Sequence, residues 1–182
     1  RSHEVLVLDD LSTGPAERLP SHAKLRGGTV ASRDDLVWGL HDIDVVVHLA
    51  AIASIDRCRQ YPAAHYNTNI LGTELITELV AEACRPKIFI HASSSSIYGP
   101  ARPPCSETTT PAPQNPYATS KVVCEALVRK LTDQGKKAIS VRFFNVYGTG
   151  QDPQSPYSGV IAQFIEAKRQ YRAAQVHGDG KQ

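Results

Sequence analysis

Methionine is missing from all 182 residues, tryptophan occurs once, and no apolar run approaches the ~18 residues a membrane-spanning helix needs. No signal peptide is visible either, so neither insertion nor export is expected and no membrane is expected as a partner. Excess charge of one sign is also lacking. The 20 Lys and Arg oppose 18 Asp and Glu, a formal net charge of +2 with no basic run, which gives no electrostatic reason to expect nucleic acid. The four cysteines, at 58, 84, 105 and 124, form no C-x-x-C pair and the histidines no H-E-x-x-H. Neither a metal site nor a disulfide framework follows from them, and reduced thiols in a cytoplasm are expected. Internal repeats and low-complexity tracts are absent. A small molecule is the expected partner.

The opening of the chain lacks a G-x-G-x-x-G loop, starts at Arg1 and enters a strand almost at once, so the sequence reads as a fragment. With 41% hydrophobic residues it can bury one sizeable core and part of a second domain. The boundary is expected in the Gly-, Pro- and Ser-rich loop from Gly148 to Tyr157, giving domains 1–147 and 148–182.

What is present centres on Tyr117-Ala118-Thr119-Ser120-Lys121. Positions four apart share a helix face, so the Tyr117 phenol and Lys121 ammonium point the same way. A free tyrosine titrates at ~10, and serving as a base near neutrality requires ~4 kcal/mol of preference for the phenolate. One positive charge ~6 Å away supplies ~3 kcal/mol at an effective dielectric near 20. Tyr-x-x-x-Lys also arises as a solvated surface pair. The run Ser93-Ser94-Ser95-Ser96-Ile97-Tyr98-Gly99 adds weight, because it follows the apolar strand Lys87 to Ala92 at its carboxyl end, where open α/β sheets place ligands. Pro113 and Pro116 then lead into the helix of Tyr117, which ends near Gln134-Gly135.

Other strands are expected at Glu4 to Leu8, ending in Asp9, near Lys24 to Arg26, at Asp44 to Leu49 and at Ala138 to Phe143. The third reads as buried on both faces. Helices are expected from an N-cap at Ser32 to Leu40, from Pro62 to Cys84 with Ile70, Leu71, Leu75, Ile76, Leu79 and Val80 facing the core, and from Ser158 to Lys168. Alternating strands and helices select an α/β doubly wound parallel sheet, the Rossmann arrangement, lacking its first strand. A strand ending in Asp9 is where a dinucleotide fold puts the acid that accepts from the adenosine ribose, although a turn aspartate has the same sequence.

Taken in order, Val7-Leu8-Asp9-Asp10-Leu11-Ser12-Thr13-Gly14, His48-Leu49-Ala50-Ala51, Asn69-Ile70-Leu71-Gly72-Thr73, the serine run, Tyr117 to Lys121 and Arg142-Phe143-Phe144-Asn145-Val146-Tyr147-Gly148 resemble the extended short-chain dehydrogenase/reductases, specifically the sugar-nucleotide epimerases. The resemblance implies NAD as cofactor, bound by Asp9, Asp10, Ser12, Thr13, Gly14, Gly28, Thr29, Leu49, Ala50, Ala51, Asn69, Tyr117, Lys121 and Phe144. It implies Ser94, Tyr117 and Lys121 as catalytic, and Ser94, Ser95, Tyr117, Asn145 and Val160 as contacts of a UDP-sugar. Gly28 stands where the family carries an aspartate for the adenine amine, which leaves that contact to Thr29 or to backbone carbonyls. Family members are commonly dimers through the helices carrying Tyr117 and Asn69.

The expected reaction is inversion at C4 of a UDP-hexose through a 4-keto sugar. The alternatives are a 4,6-dehydratase or decarboxylase of the same superfamily, or a nucleotide-binding module without chemistry. Dehydratases carry Asp-Glu where this chain has Ser95 and Ser96, and a serine has no useful pKa for protonating a leaving hydroxyl. As a fragment without a glycine loop, the chain alone is expected to be inactive and not stably folded.

Overall fold

The computed structural model describes residues 3–83, 85–151, 159–176 and 178–179. The expected helix end at Cys84, the helix start at Ser158 and loop residues 152–157 lie outside them. The chain divides into two compact units, residues 1–143 and 144–182.

In the first unit, strands β1 (Val5–Asp9), β2 (Ala23–Gly27), β3 (Val45–His48), β4 (Ile88–Ser94) and β5 (Lys137–Phe143) alternate with helices. All pair in parallel, but in two sheets: β1 with β2, and β3-β4-β5. Among the described residues β1 and β3 each keep one edge without a strand partner. Parallel strands flanked by helices make this an α/β Rossmann-like fold. Leu36, Val46, Val80, Phe89, Val128 and Leu131 share one core, with Leu8 of β1 packed against it.

Helix α1 (Arg33–Gly39) begins where Ser32 Oγ accepts from Asp35 N, and α5 (Pro116–Asp133) where Asn115 Oδ1 accepts from Ala118 N, with Pro116 in the first turn. Gly99 closes the turn Ser95–Tyr98 that follows β4. Its φ is +58°, and a Cβ there would stand 2.0 Å from the Ala112 carbonyl oxygen, so only glycine fits.

Two expectations need correction. Strand β3 is not buried on both faces: Val46 and His48 are buried while Val47 is 54% exposed, because helices cover one face among the described residues. The helix expected from Pro62 is continuous to Glu82 but is not one regular α-helix. Instead α2 (Ile55–Gln60) and α3 (Pro62–His65) lead into a π-helical segment, Tyr66–Leu71, before α4 (Gly72–Glu82). Of the residues expected to face the core, Ile76 and Val80 are buried and Leu75 and Leu79 pack against it, with Asn69, Thr73 and Thr77 buried beside them.

The second unit contains α6 (Val160–Arg169), with Val160, Ile161, Phe164 and Ile165 exposed in large part.

Candidate active site

Parallel pairing puts the carboxyl ends of β3, β4 and β5 on one side of their sheet, with β4 running on through Ser93 and Ser94, opposite Arg142 and Phe143. Ser94 is thereby carried out at the strand end, and Ser96 folds back on it. Ser94 Oγ accepts from Ser96 N at 3.2 Å and from Ser96 Oγ at 2.9 Å, leaving its own hydrogen to be donated elsewhere. The Tyr117 phenol lies close enough to Ser94 for that side chain to favour its ionised form. Ser95 stands in the same turn and is half-buried.

Lys121 comes from one turn further along α5. It is 5% exposed, and its Nζ donates to Ala92 O at 2.7 Å and stands 5.7 Å from the Tyr117 ring centroid. Only one of its three hydrogens is accounted for among the described residues. The structure thus brings Ser94, Tyr117 and Lys121 together.

Their electrostatics differ from the expectation. Burial raises the Tyr117 phenol above its ordinary range, the Ser94 side chain opposes it, and the Cys58 and Cys124 thiols add to the rise; Lys121 is not among the causes. Burial lowers Lys121 itself. The ammonium leans on the Ala92 carbonyl beneath the ring, and desolvation outweighs what its charge gives the phenolate.

Asn69 is buried with its whole amide engaged. Oδ1 accepts from Ile52 N at 2.7 Å, and Nδ2 donates to Ile52 O at 3.1 Å and Ser120 Oγ at 3.3 Å. The clamp ties the turn Leu49-Ala50-Ala51-Ile52 to the Tyr117 helix, so the amide acts on that turn and keeps no free hydrogen for a ligand. Ser120 donates to Tyr117 O, and therefore accepts from Nε2–H of the buried His65 as well.

In the other sheet, Asp9 ends β1 exposed, with Oδ1 accepting from Leu11 N at 2.7 Å and Oδ2 without a hydrogen-bond partner among the described residues. Asp10 Oδ1 likewise accepts from Ser12 N at 2.9 Å, and Leu11 between them sits at φ +57°. Thr13 is exposed and Gly14 half-buried in the loop beyond. Gly28 donates to Asp9 O at 3.1 Å, and a Cβ there would meet Leu8 Cδ1 at 2.7 Å and Asp35 Cγ at 2.9 Å. An aspartate could not stand there without displacing them. Thr29 N donates to Asp35 Oδ2 at 3.0 Å. Leu49 is 65% exposed, with Ala50 and Ala51 half-buried. Phe144, Asn145 and Val160 belong to the second unit and are exposed there.

Sequence reasoning gave no role to Glu125 or Arg142, which form a half-buried ion pair at 2.8 Å, or to Ser93, which donates to Glu125 Oε1 at 2.6 Å. The available signal was a charged residue inside an apolar strand. His48, His91 and Thr73 were likewise unassigned. Among the described residues no group of three His, Cys, Asp or Glu could hold a metal ion, and no helix is long and apolar enough to cross a membrane.

A parallel α/β sheet with a serine at a strand end, beside a tyrosine and a lysine one turn apart on the following helix, is the arrangement of a dinucleotide-dependent class. The chain belongs to the NAD dependent epimerase/dehydratase family, whose sequence profile matches residues 1–182. It is 35% identical to the UDP-glucose 4-epimerase of Mycolicibacterium smegmatis, over 98% of this chain and 59% of that protein. It is 31% identical to a UDP-N-acetyl-alpha-D-glucosaminuronate decarboxylase of Bacillus cytotoxicus, over 100% of this chain and 59% of that one. Among solved structures, the UDP-N-acetylglucosamine 4-epimerase of Methanobrevibacter ruminantium, in complex with UDP-N-acetylmuramic acid, superposes with a TM-score of 0.90 at 32% identity, covering 98% of this chain and 59% of that one. The chain therefore spans about three fifths of the length of these relatives.

Proposed function

We propose that this chain is part of an NAD-dependent enzyme that inverts C4 of a UDP-hexose through a transient 4-keto sugar. The observation that carries the reading is the Ser94, Tyr117 and Lys121 cluster beside a turn whose other side chains, Ser95 and Ser96, are hydroxyls. The site fits the family's cofactor. Lys121 is a buried ammonium with two hydrogens left for ligand hydroxyls, and Asp9 keeps one carboxylate oxygen free at the end of β1 for ribose hydroxyls. NAD, when bound, supplies the acceptor and donor of hydride at C4 and is unchanged over a full cycle.

The protein's part is proton handling and orientation. Ser94 holds the sugar O4, Tyr117 takes its proton as general base, and after the 4-keto sugar presents its other face Tyr117 returns the proton to O4. Asn69 contributes by fixing the Ile52 turn. Asn145 and Val160 are assigned to the UDP moiety and Phe144 to the nicotinamide side, with a second domain starting near residue 148 that contains Val160. A cytoplasmic homodimer through α4 and α5 belongs to the same reading, with Tyr66 beside α4 and Val123 on α5 in part exposed; light scattering on the full-length protein tests it.

In the full-length protein, Tyr117→Phe is expected to lower turnover by at least ~10²-fold while NAD stays bound. Retained turnover rejects the assignment. Incubation with UDP-glucose or UDP-N-acetylglucosamine, followed by NMR, reads the reaction directly. A second reading, decarboxylation of a UDP-hexuronic acid, is favoured by the likeness to the Bacillus cytotoxicus decarboxylase; carbon dioxide release from such a substrate would select it.

A further inference from the structure

One guanidinium and one carboxylate join four of the pieces that carry the candidate site. Arg142 Nε donates to Glu125 Oε1 at 2.9 Å and Nη2 to Oε2 at 2.8 Å, a two-pronged fork. Its remaining Nη1 donates to Tyr98 Oη and to Glu107 O, each at 3.0 Å, and Cζ lies 5.0 Å from the Tyr98 ring centroid. Ser93 Oγ completes the set by donating to Glu125 Oε1 at 2.6 Å. Each end leads to the site. Ser93 immediately precedes Ser94 in β4, and Glu125 lies one helical turn beyond Lys121 and two beyond Tyr117 on α5. Tyr98 ends the turn that begins at Ser95, and Arg142 stands across from Ser93 in β5.

Cohesion does not explain this arrangement. The two side chains are only 17% and 10% exposed, and taking such charges out of water costs enough that apolar residues of the same volume commonly hold a fold as well. What apolar residues lack is direction. A bidentate fork fixes angle and distance between α5 and β5, and the Ser93 bond fixes β4 against both. Burial works to raise the Glu125 carboxyl, while hydrogen bonds from Arg142 and Ser93 and the Arg142 charge hold it below the ordinary carboxylate range.

We propose that Glu125 and Arg142 are positioning residues that set the separation between the Ser94 hydroxyl and the Tyr117 phenol. The proposal rests on the reading of Ser94 and Tyr117 as the acid–base pair. Its test uses full-length protein with NAD, comparing Glu125→Gln, Arg142→Lys and Ser93→Ala. Arg142→Lys keeps the charge and loses the fork, so it separates geometry from electrostatics. For a displacement on the order of 1 Å, kcat is expected to fall about 10- to 100-fold. KM is expected to change less than kcat, since proton transfer depends on the separation more steeply than holding O4 does. Independently of turnover, the Tyr117 phenol, read as the ultraviolet difference between each protein and its Tyr117→Phe counterpart, is expected to titrate higher once Ser94 moves away. Ser93→Ala leaves the ion pair in place and is expected to show a smaller change in the same direction, which carries the test if the other two do not fold. Folded variants with unmoved phenol titration overturn the proposal, whatever their kcat. A wild-type enzyme that exchanges no UDP-hexose at C4 overturns only the proposed function, because the titration still reads the coupling.

Discussion

The Tyr117 phenol is a poor base in the protein alone, since burial and the neighbouring thiols outweigh the Ser94 side chain. Without cofactor it should titrate above the ~10 of a free tyrosine, and saturating NAD, whose oxidised ring is positive, should bring it down. Ultraviolet titration with and without NAD checks this against Tyr117→Phe, and a titration indifferent to NAD would contradict it. Lys121 makes a second residue-scale prediction. Replacing it with methionine keeps the stem and removes two donors free for ligand hydroxyls. Hydrogen bonds to a charged group are worth ~1.5–3 kcal/mol each, so losing two should weaken NAD binding about 10²- to 10⁴-fold, as calorimetry would register.

Across β3, β4 and β5 runs a ladder of polar side chains: Thr73 from α4, then His48, His91 and Ser140 at matched strand positions. Thr73 Oγ1 already donates to Asn69 O, so it accepts from His48 Nε2–H at 3.0 Å, and His91 Nδ1 meets Ser140 Oγ at 3.1 Å. The two rings lie 5.8 Å apart. Burial, with the Lys121 charge nearby, pushes His48 down to about 4; burial, Lys121 and His48 push His91 down to about 3. An unfolded histidine titrates near 6.5, so below that pH the unfolded chain binds protons that the folded one refuses. Stability contributed by the neutral pair is present above ~6.5 and lost as pH falls toward 3 to 4, by about 2 kcal/mol per ring between pH 6.5 and 5. Denaturant midpoints of the full-length protein across that range should show the fall, and His91→Gln should shallow it. Asn69 belongs to the same scale. Its replacement by alanine removes three hydrogen bonds and strands the buried groups at Ile52, at ~1–3 kcal/mol for each left unsatisfied. A thermal midpoint near that of the unaltered protein would refute the clamp.

At the scale of the whole molecule, the two sheets share one core but not one ladder. Among the described residues β1 and β3 keep an unpaired edge, and Val5, Val45 and Val47 on the faces of these strands are each exposed by two fifths or more. Free edges with apolar neighbours invite pairing with other chains. Residues 1–182 expressed alone should therefore self-associate and melt without a cooperative transition, by light scattering and calorimetry. A monomeric, cooperative melt would show that these edges are tolerated.

Local chemistry was legible in the sequence. Helix starts at Ser32 and Pro116, the stop before Gly135, the strand end at Asp9, and the one-turn spacing of Tyr117 and Lys121 all depend on residues within a few positions of one another. What depends on distant segments was decided by the tertiary structure. The π turn that brings Asn69 to Ile52, the direction of the phenol shift, and the contacts of Ser93 with Glu125 and of Arg142 with Tyr98, 32 and 44 residues apart, follow from packing and desolvation that no local pattern encodes.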